Sequence, residues 1–443
     1  MSTFSKEEQW SHLQMKDLQW SRLKKSIKHA YENVPFYREA LQRIPITPDD
    51  FCSWQQFQEL PFTKKHHLRE NYPFQLLATP VNEVVRIHAS SGTSGKPTVV
   101  AYTKNDISHW GHMVARAIYM AGGRKGDILH NAFGYGLFTG GLGIHHGSEY
   151  LGCATVPISG GNTNKQIAMI QDFKPRIICS TPSYLLYIGE TMINQGINPA
   201  NTSLKLAILG AEPWSEKMRD IIERMFDLDA LDIYGLSEVM GPGIAMECEC
   251  KEGLHVAEDH FIIEAINPET LEPVPDGEDG ELIFTSLTKE AIPIIRYRTG
   301  DVASLSRERC ACGRTTIKMS RVKGRIDDML IIRGVNVFPS EIERYICSAE
   351  ELEPHYEIHL LKKGAMDHVE LHVEVCELFY NSLSEQSFND QKSLELIQKV
   401  KKTLKMELLV SVDVRLTKPK TLLRSEGKAR RIIDKRPSMS ATL

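Results

Sequence analysis

Apolar and polar positions change rhythm three times along the chain. Up to about residue 80 the sequence is polar, with Trp10, Leu13, Leu18, Trp20 and Leu23 recurring near helical spacing before a turn-rich stretch at 33–37. A helical lead-in with aromatic packing is predicted there. From Val84 short apolar runs take over, VVRIHAS, ILHNAF, ATVPIS, RIICSTP, LKLAILG and ALDIYG, separated by helical stretches. Such alternation predicts an α/β fold with a largely parallel sheet flanked by helices. After Gly253 the texture is β-rich: FIIEAINPET, the PDGEDG turn at 275–280, ELIFTSLT and PIIRYRTGD. A smaller sheet or barrel attached to the first region is expected. The polar connection KGRIDD then leads into LIIRGVNVFP and an alternating helix and strand pattern with charged helix faces. This places a boundary between a large N-terminal domain, 1–326, and a small α+β C-terminal domain, 327–443.

Composition narrows the reading. At 443 residues the chain exceeds what one core usually supports, so at least two domains are expected. With 42% hydrophobic and 25% charged residues it reads as a soluble globular protein, and no stretch approaches the ~18–20 apolar residues needed to cross a bilayer. Fifty-three basic residues against 57 acidic ones give a net charge of −4, too balanced for nucleic acid to be the main partner. The N-terminus lacks the pattern of a secretory signal, which makes the cytoplasm the default location. Nine cysteines, an odd number, point to reduced thiols rather than to a disulfide framework.

Two segments carry candidate chemistry by their residues alone. SSGTSGKPTVV at 90–100 follows a predicted strand. Its glycines allow tight turns, its hydroxyls and amides can donate, and Lys96 adds charge, which are the ingredients of a phosphate-cradling loop. The spacing is too short for a Walker A loop, and Pro97 follows the lysine. A surface turn is the alternative. Cys248-x-Cys250 and Cys310-x-Cys312, with His255 between them, offer soft sulfur and imidazole suited to tetrahedral zinc. Unliganded thiols are the alternative there.

The order of five motifs, SSGTSGKP, IYGLSE (233–238), YRTGD (297–301), GRIDDMLIIRG (324–334) and SEGKA (425–429), resembles the acyl-adenylate-forming ligase superfamily. Within it FGYGLFTGG, GAEPW, DIYGLSEVMGPG, EDHF, FTSLTKEAIPIIRYRTGD and LIIRGVNVFPSEIE resemble the phenylacetate–coenzyme A ligases. The likeness runs from about residue 31 to residue 434. It implies ATP-dependent activation of an aryl acid to acyl-AMP and pyrophosphate, then transfer to coenzyme A, by an adenylate-forming N-terminal domain and a mobile C-terminal domain.

The roles that follow are those the resemblance implies. Ser90, Ser91, Gly92, Thr93, Ser94, Gly95 and Lys96 would hold the β- and γ-phosphates, and Glu238 would coordinate magnesium, a hard ion that prefers oxygen. Asp301 would accept both ribose hydroxyls. Tyr234 would offer a face to adenine, with Gly210, Ala211, Glu212 and Pro213 as the opposite wall and Asp232, Ile233, Gly235 and Ser237 around it. Arg325 would reach ribose or phosphate. Lys428 would be the catalytic lysine, a point charge on a flexible stem able to touch both the acid carboxylate and the bridging oxygen. Asp327 would be the hinge. Tyr135, Phe138, Gly140, Gly141, Met240 and Pro242 would form the slot for the ring, although a glycine-aromatic segment can equally be a tight packing site. Cys248, His255, Cys310 and Cys312 would hold a structural zinc, with Cys250 as substitute or spectator. Relatives are often homodimers. Two rival readings accompany these roles: a ligase of the same fold acting on a hydroxyphenylacetate or a benzoate, and a zinc-bearing nucleotide-binding protein without ligase activity.

Overall fold

A computed structural model describes residues 3–44, 47–90, 97–332, 335–363, 366–408, 412–429 and 431–436. The chain forms two compact units. Met1–Thr181, Asn198–Ala211 and Phe226–Arg321 make the first, and Pro182–Ile197, Glu212–Met225 and Val322–Leu443 the second.

The first unit opens with helices α1 (His12–Asn33), α2 (Pro35–Arg43), α3 (Trp54–Glu59) and α4 (Lys65–Glu70). Ser11 caps α1 in a reciprocal pair with Gln14, leaving few orphan donors at its start. The buried stripe of α1 is Met15, Gln19, Leu23, Ile27 and Ala30, whereas Leu13, expected on it, is 74% exposed. Leu13 lies two residues before Met15, about 200° round the helix and so on the opposite face. Aromatic packing does form, through Trp20 stacked on Phe51 at 5.2 Å. The helix also works through polar groups: Gln19 Nε2 donates to the carbonyls of Glu258 and Phe261, and Ser26 Oγ to that of Ser286. Buried carbonyls around the start of the strand Phe261–Ile266 and at the end of the strand Asp279–Ser286 are thereby satisfied by a helix rather than by a strand.

Next come β1 (Val84–Ser90), β2 (Thr98–Thr103), α5 (Lys104–Met120), β3 (Ile128–Asn131), α6 (Thr139–Leu151), β4 (Ala154–Val156), α7 (Thr163–Phe173), β5 (Ile177–Ser180), β6 (Leu206–Gly210) and β7 (Asp229–Leu236). After them follow β8 (Gly241–Glu247), β9 (Leu254–Val256), β10 (Phe261–Ile266), β11 (Asp279–Ser286), β12 (Tyr297–Ser306) and β13 (Lys318–Met319). Strands β1 and β2 pair as an antiparallel hairpin. The others run β10-β11-β12-β13-β9-β8-β7-β6-β5-β3-β4, parallel from β7 to β4 and antiparallel from β10 to β7. The β-rich stretch forms the antiparallel strands β10, β11 and β12, joined to the rest of the ladder through the two-residue strand β13. In the parallel half β4 and β5 lie on opposite sides of β3, a switch point of the kind where α/β sheets bind ligands at strand carboxyl ends.

The second unit holds α8 (Pro182–Asn194), α9 (Glu216–Phe226), β14 (Gly324–Arg325), β15 (Leu330–Ile332), β16 (Val335–Val337), α10 (Pro339–Ile346), β17 (Leu352–Lys363), β18 (Met366–Val375), α11 (Glu377–Asn381), α12 (Gln391–Leu408), β19 (Asp413–Thr417) and β20 (Ile432–Asp434). Its sheet has the order β19-β18-β17-β20, with β17 and β18 antiparallel and both edge strands parallel to their neighbours. Alternate residues Ile358, Leu371 and Val373 share a core with Ile342 and Ile346 of α10 and Leu404 of α12. Between β19 and β20 the chain crosses from one sheet edge to the other, its described residues forming no helix or strand, and that crossing carries Lys428.

Helices α5 and α6 meet at glycines. A Cβ on Gly143 would lie 2.3 Å from the Trp110 ring, and one on Gly147 2.3 Å from the Val114 side chain. Val114 is β-branched and fully buried, so it has little room to give way. Gly147→Ala is expected to lower stability by about 1–3 kcal/mol, read from the urea midpoint; an unchanged midpoint would show that the helices part without cost.

Candidate active site

Candidate residues of the first unit gather at the carboxyl ends of β3, β6 and β7. Strands β6 and β7 run close: a Cβ on Gly210 would sit 2.3 Å from the Ile233 carbonyl oxygen. Ala211, which follows, is held at φ 70°, a left-handed conformation that costs a non-glycine residue about 1–3 kcal/mol and is typical of functional corners. At the other edge of β7, Gly235 lets the chain fold tightly onto β8, since its Cβ would be 2.2 Å from the Gly241 carbonyl oxygen. Tyr234 and Asp301 are both buried, and the tyrosine hydroxyl donates to Asp301 Oδ2 at 2.7 Å. The tyrosine ring also stacks on Phe284 at 5.9 Å. Asp232 faces Arg321, which lies 3.7 Å from it and 3.6 Å from Glu247.

The YRTGD motif is a bulge. Glu281 pairs with Val302 and Ile283 with Arg298, so Thr299, Gly300 and Asp301 oppose Leu282 alone. Gly300 takes φ 77°, its N–H donates to Glu281 Oε1 at 3.1 Å, and Thr299 Oγ1 accepts from Asp301 N at 2.9 Å. Extra residues re-aim a side chain, here the Asp301 carboxylate toward Tyr234.

Glu238 lies on the turn between β7 and β8 and is buried. Its own carbonyl and that of Val239 accept from Lys289 Nζ at 3.3 and 3.0 Å. Lys289 is fully enclosed, 5.1 Å from the Tyr102 ring centre. Burial pulls its pKa from 10.5 down to about 8, against the opposing pull of the Asp106 and Glu238 charges. Asp106 is equally buried and accepts from the backbone N–H groups of Thr103, Glu290 and Ala291. Neither Lys289 nor Asp106 stands out in the sequence. One signal was available: both fall in polar gaps between apolar runs, where a charge normally meets solvent.

The start of α6 meets the turn between β7 and β8, with Thr139 Oγ1 and Ser237 Oγ 2.8 Å apart. Phe138 is 53% exposed and Met240 fully buried. Tyr135 is half-buried, and its hydroxyl accepts from Asn131 Nδ2 at 2.8 Å and lies 3.1 Å from His145 Nδ1. Burial raises its pKa to about 12. A Cβ on Gly141 would meet the Gly134 carbonyl oxygen at 2.5 Å, so this glycine serves tight packing, whereas Gly140 has room. The Pro242 carbonyl accepts from Trp110 Nε1 at 3.0 Å. Ser90 ends β1, and Ser91, Gly92, Thr93, Ser94, Gly95 and Lys96 lie outside the described residues.

In the second unit Lys428 is exposed, and its carbonyl accepts from Ser425 Oγ at 2.7 Å. Glu212 belongs to the same unit: its two oxygens accept from Ser183 N and Ala429 N, each at 2.8 Å. Arg325 Nη2 is 3.4 Å from Asp327 Oδ2, and Asp327 lies in the short helical turn Ile326–Asp328. Pro213 precedes α9.

The cysteines form a separate centre in the first unit. Cys248, His255, Cys310 and Cys312 are all buried, with their donor atoms within 4.8 Å of one another. Cys248 and Cys310 sulfurs are 3.6 Å apart, and Cys312 Sγ is 3.5 Å from His255 Nε2. These separations fit the edges of about 3.6–3.8 Å that follow from Zn–S bonds of ~2.3 Å and Zn–N bonds of ~2.0 Å in a tetrahedron. They are far longer than the ~2.05 Å of a disulfide. His255 Nδ1 lies 3.0 Å from Thr316 Oγ1, which orients the ring, and Gly313 at φ 85° turns the Cys310–Gly313 knuckle. Cys250 is not part of the cluster. Next to the knuckle Arg314 pairs with buried Glu8 at 2.6 Å, fastening the N-terminal segment.

Comparison with known proteins extends the geometry. Residues 38–287 match the AMP-binding enzyme family, and residues 334–436 the AMP-binding enzyme C-terminal domain. A phenylacetate–coenzyme A ligase of Pseudomonas putida is 50% identical over 419 residues, 94% of this chain and 93% of that one. Another, of Thermus thermophilus, is 46% identical over 430 residues, 95% of this chain and 97% of its own. Among solved structures, a 2-hydroxyisobutyryl-CoA ligase in the postadenylation state is similar with a TM-score of 0.89 at 26% identity, covering 97% of this chain and 91% of that one.

Lys289 generates a pH dependence with a definite sign. With a pKa of about 8 when folded against 10.5 as its ordinary value, the folded chain binds fewer protons than the unfolded one between those limits. Stability contributed by this residue therefore rises with pH from about 8 to 10.5, by up to ~3 kcal/mol, and is lost as pH falls back through that window. Chemical denaturation of the wild type and of Lys289→Met across this range should give curves that diverge; parallel curves would remove the assignment.

Proposed function

The chain belongs to the phenylacetate–coenzyme A ligase family of AMP-binding enzymes, and from that premise we propose that it activates phenylacetate with ATP to phenylacetyl-AMP and pyrophosphate, then passes the acyl group to coenzyme A. The observation that carries this reading is identity of 46–50% to four such ligases over nearly the full length of both chains.

The first step joins two anions, the acid carboxylate and the α-phosphate, so positive charge has to be concentrated where the new P–O bond forms. In this reading Lys428 supplies it, touching the attacking carboxylate and the bridging oxygen together. Asp301 accepts from the ribose hydroxyls and is kept in place by the Tyr234 hydroxyl and by its bulge. The Tyr234 ring bounds the adenine slot, with the strained Ala211 corner opposite. Glu238 holds magnesium, whose charge offsets that of the phosphates. Tyr135, Phe138, Gly140, Gly141, Met240 and Pro242 surround the aryl ring, and Lys96 with its neighbours receives the outer phosphates. The thiol of coenzyme A then displaces AMP, after the C-terminal domain has turned about Asp327 and withdrawn the lysine. Cys248, His255, Cys310 and Cys312 hold a structural zinc that ties the knuckle and, through Arg314 and Glu8, the N-terminal segment. Among the described residues no helix is long and apolar enough to cross a membrane, and none of the nine cysteines is in a disulfide; we place the enzyme in the cytoplasm.

Three measurements test this. Phenylacetate should support ATP–pyrophosphate exchange and, with coenzyme A, thioester formation; Lys428→Ala should slow exchange by about 10²–10³-fold, and a rate within about twofold of wild type would reject the lysine. A benzoate or a hydroxyphenylacetate turned over about tenfold better than phenylacetate would replace the substrate. Chain purified without chelator should carry about one zinc, with Cys310→Ser losing it together with several degrees of thermal midpoint; a metal content near zero would exclude the zinc.

A further inference from the structure

The crossing from β19 to β20 has no ladder of its own, yet it must deliver one side chain accurately. Both ends of it are fastened by buried groups of the second unit. At the far end Arg431 donates to the Pro354 carbonyl at 3.1 Å, lies 3.3 Å from Glu343 Oε2, and covers the Tyr356 ring at 4.3 Å. At the near end the fastening is one carboxylate. Glu374, at the end of β18 and opposite Thr417 in register, is 1% exposed. Its Oε2 accepts from Lys420 N at 3.0 Å and its Oε1 from Leu422 N at 2.7 Å. Arg424 adds a two-pronged pair, Nη1 to Oε1 and Nη2 to Oε2, each at 2.8 Å. Its Nε reaches Glu190 Oε2 at 3.2 Å, and Glu190 Oε1 is 2.6 Å from His355 Nε2. Four bonds to one carboxylate thus bend the chain at Lys420, where φ is 60°, and set its course toward residue 428.

We propose that Glu374 is a positioning residue for adenylation: by binding Lys420, Leu422 and Arg424 it fixes the loop from which Lys428 reaches the reacting oxygens. A fork-on-fork pair constrains direction as well as distance, which a single ion pair does not. Displacement of a reacting group by about 1 Å can cost about 10²-fold in rate. The proposal rests on the reading that Lys428 acts in adenylation and not in thioester formation.

The test separates the two half-reactions in the full-length enzyme. Glu374→Gln keeps the volume but loses the charge that Arg424 requires. It should slow phenylacetate-dependent pyrophosphate exchange by about 10- to 100-fold, while thioester formation from supplied phenylacetyl-AMP and coenzyme A stays within about twofold of wild type. In a Lys428→Ala background the same change should add nothing further, because Glu374 acts through that lysine. Equal loss in both half-reactions of a folded variant, or a further loss in the Lys428→Ala background, would show a merely structural role and overturn the proposal. If Glu374→Gln does not fold, Arg424→Lys decides: it retains charge without the fork, and absence of the same split overturns the proposal. Normal exchange in Lys428→Ala would remove the parent reading and this one together, whereas loss in Lys428→Ala with normal exchange in Glu374→Gln would remove this one alone.

Discussion

A backbone N–H that leaves a sheet or helix inside a protein must find an acceptor, and in this chain the acceptor is repeatedly a buried carboxylate. Leaving such a donor unpaired costs about 1–3 kcal/mol, so each irregular turn near the candidate site depends on its acid. Asp106 serves Thr103, Glu290 and Ala291; Glu281 serves the bulge at Gly300; Glu258 serves Ile317. Within the second unit Glu374 serves Lys420 and Leu422, and half-buried Glu212 serves Ser183 and Ala429. Regular structure supplies the walls, and these acids hold the corners where function is proposed to sit.

Such a device explains what could and could not be read from the sequence. Strand runs such as RIICSTP and LKLAILG announce β5 and β6, because buried parallel strands need continuous apolar residues. The spacing of Cys248, His255, Cys310 and Cys312 announces a cluster that the fold assembles to within 4.8 Å. Tyr234 and Asp301, assigned to one nucleotide, are found hydrogen-bonded to each other. Leu13 is exposed because an apolar residue at the start of a helix does not say which face the helix will bury; the buried face is the one that also carries Gln19 and Ser26, whose side chains reach carbonyls beside and within β10 and β11.

Glu374 was illegible for a different reason. In VELHVEV the polar residues alternate with apolar ones, the signature of a strand with one wet face. Glu370, His372 and Glu374 therefore read as solvent-facing. The structure covers that face with the chain that follows β19, so Glu374 is almost wholly enclosed. Period-two patterning records which side of a strand is polar, not whether water or backbone meets it. Lys289 presents the same ambiguity from the cationic side, as a lysine in a polar gap whose partners are carbonyls more than 45 residues away in sequence.

Concentrating acids around a site proposed for a polyanionic nucleotide raises an electrostatic difficulty, and the arrangement of donors resolves it. Asp106 is surrounded by three N–H groups, Glu281 by Arg298 and Gly300 N, and Asp301 by the Tyr234 hydroxyl and, in the proposed complex, by ribose. Their charge is used locally and projects little toward phosphate. Glu238 differs: Lys289 donates to its carbonyl rather than to its carboxylate, and among the described residues no hydrogen bond reaches that carboxylate. In the proposed function that carboxylate would hold magnesium, whose charge would offset that of the phosphates. Of the four acids Glu238 is the one to whose carboxylate no described residue donates, and it is the one proposed to meet the nucleotide's charge.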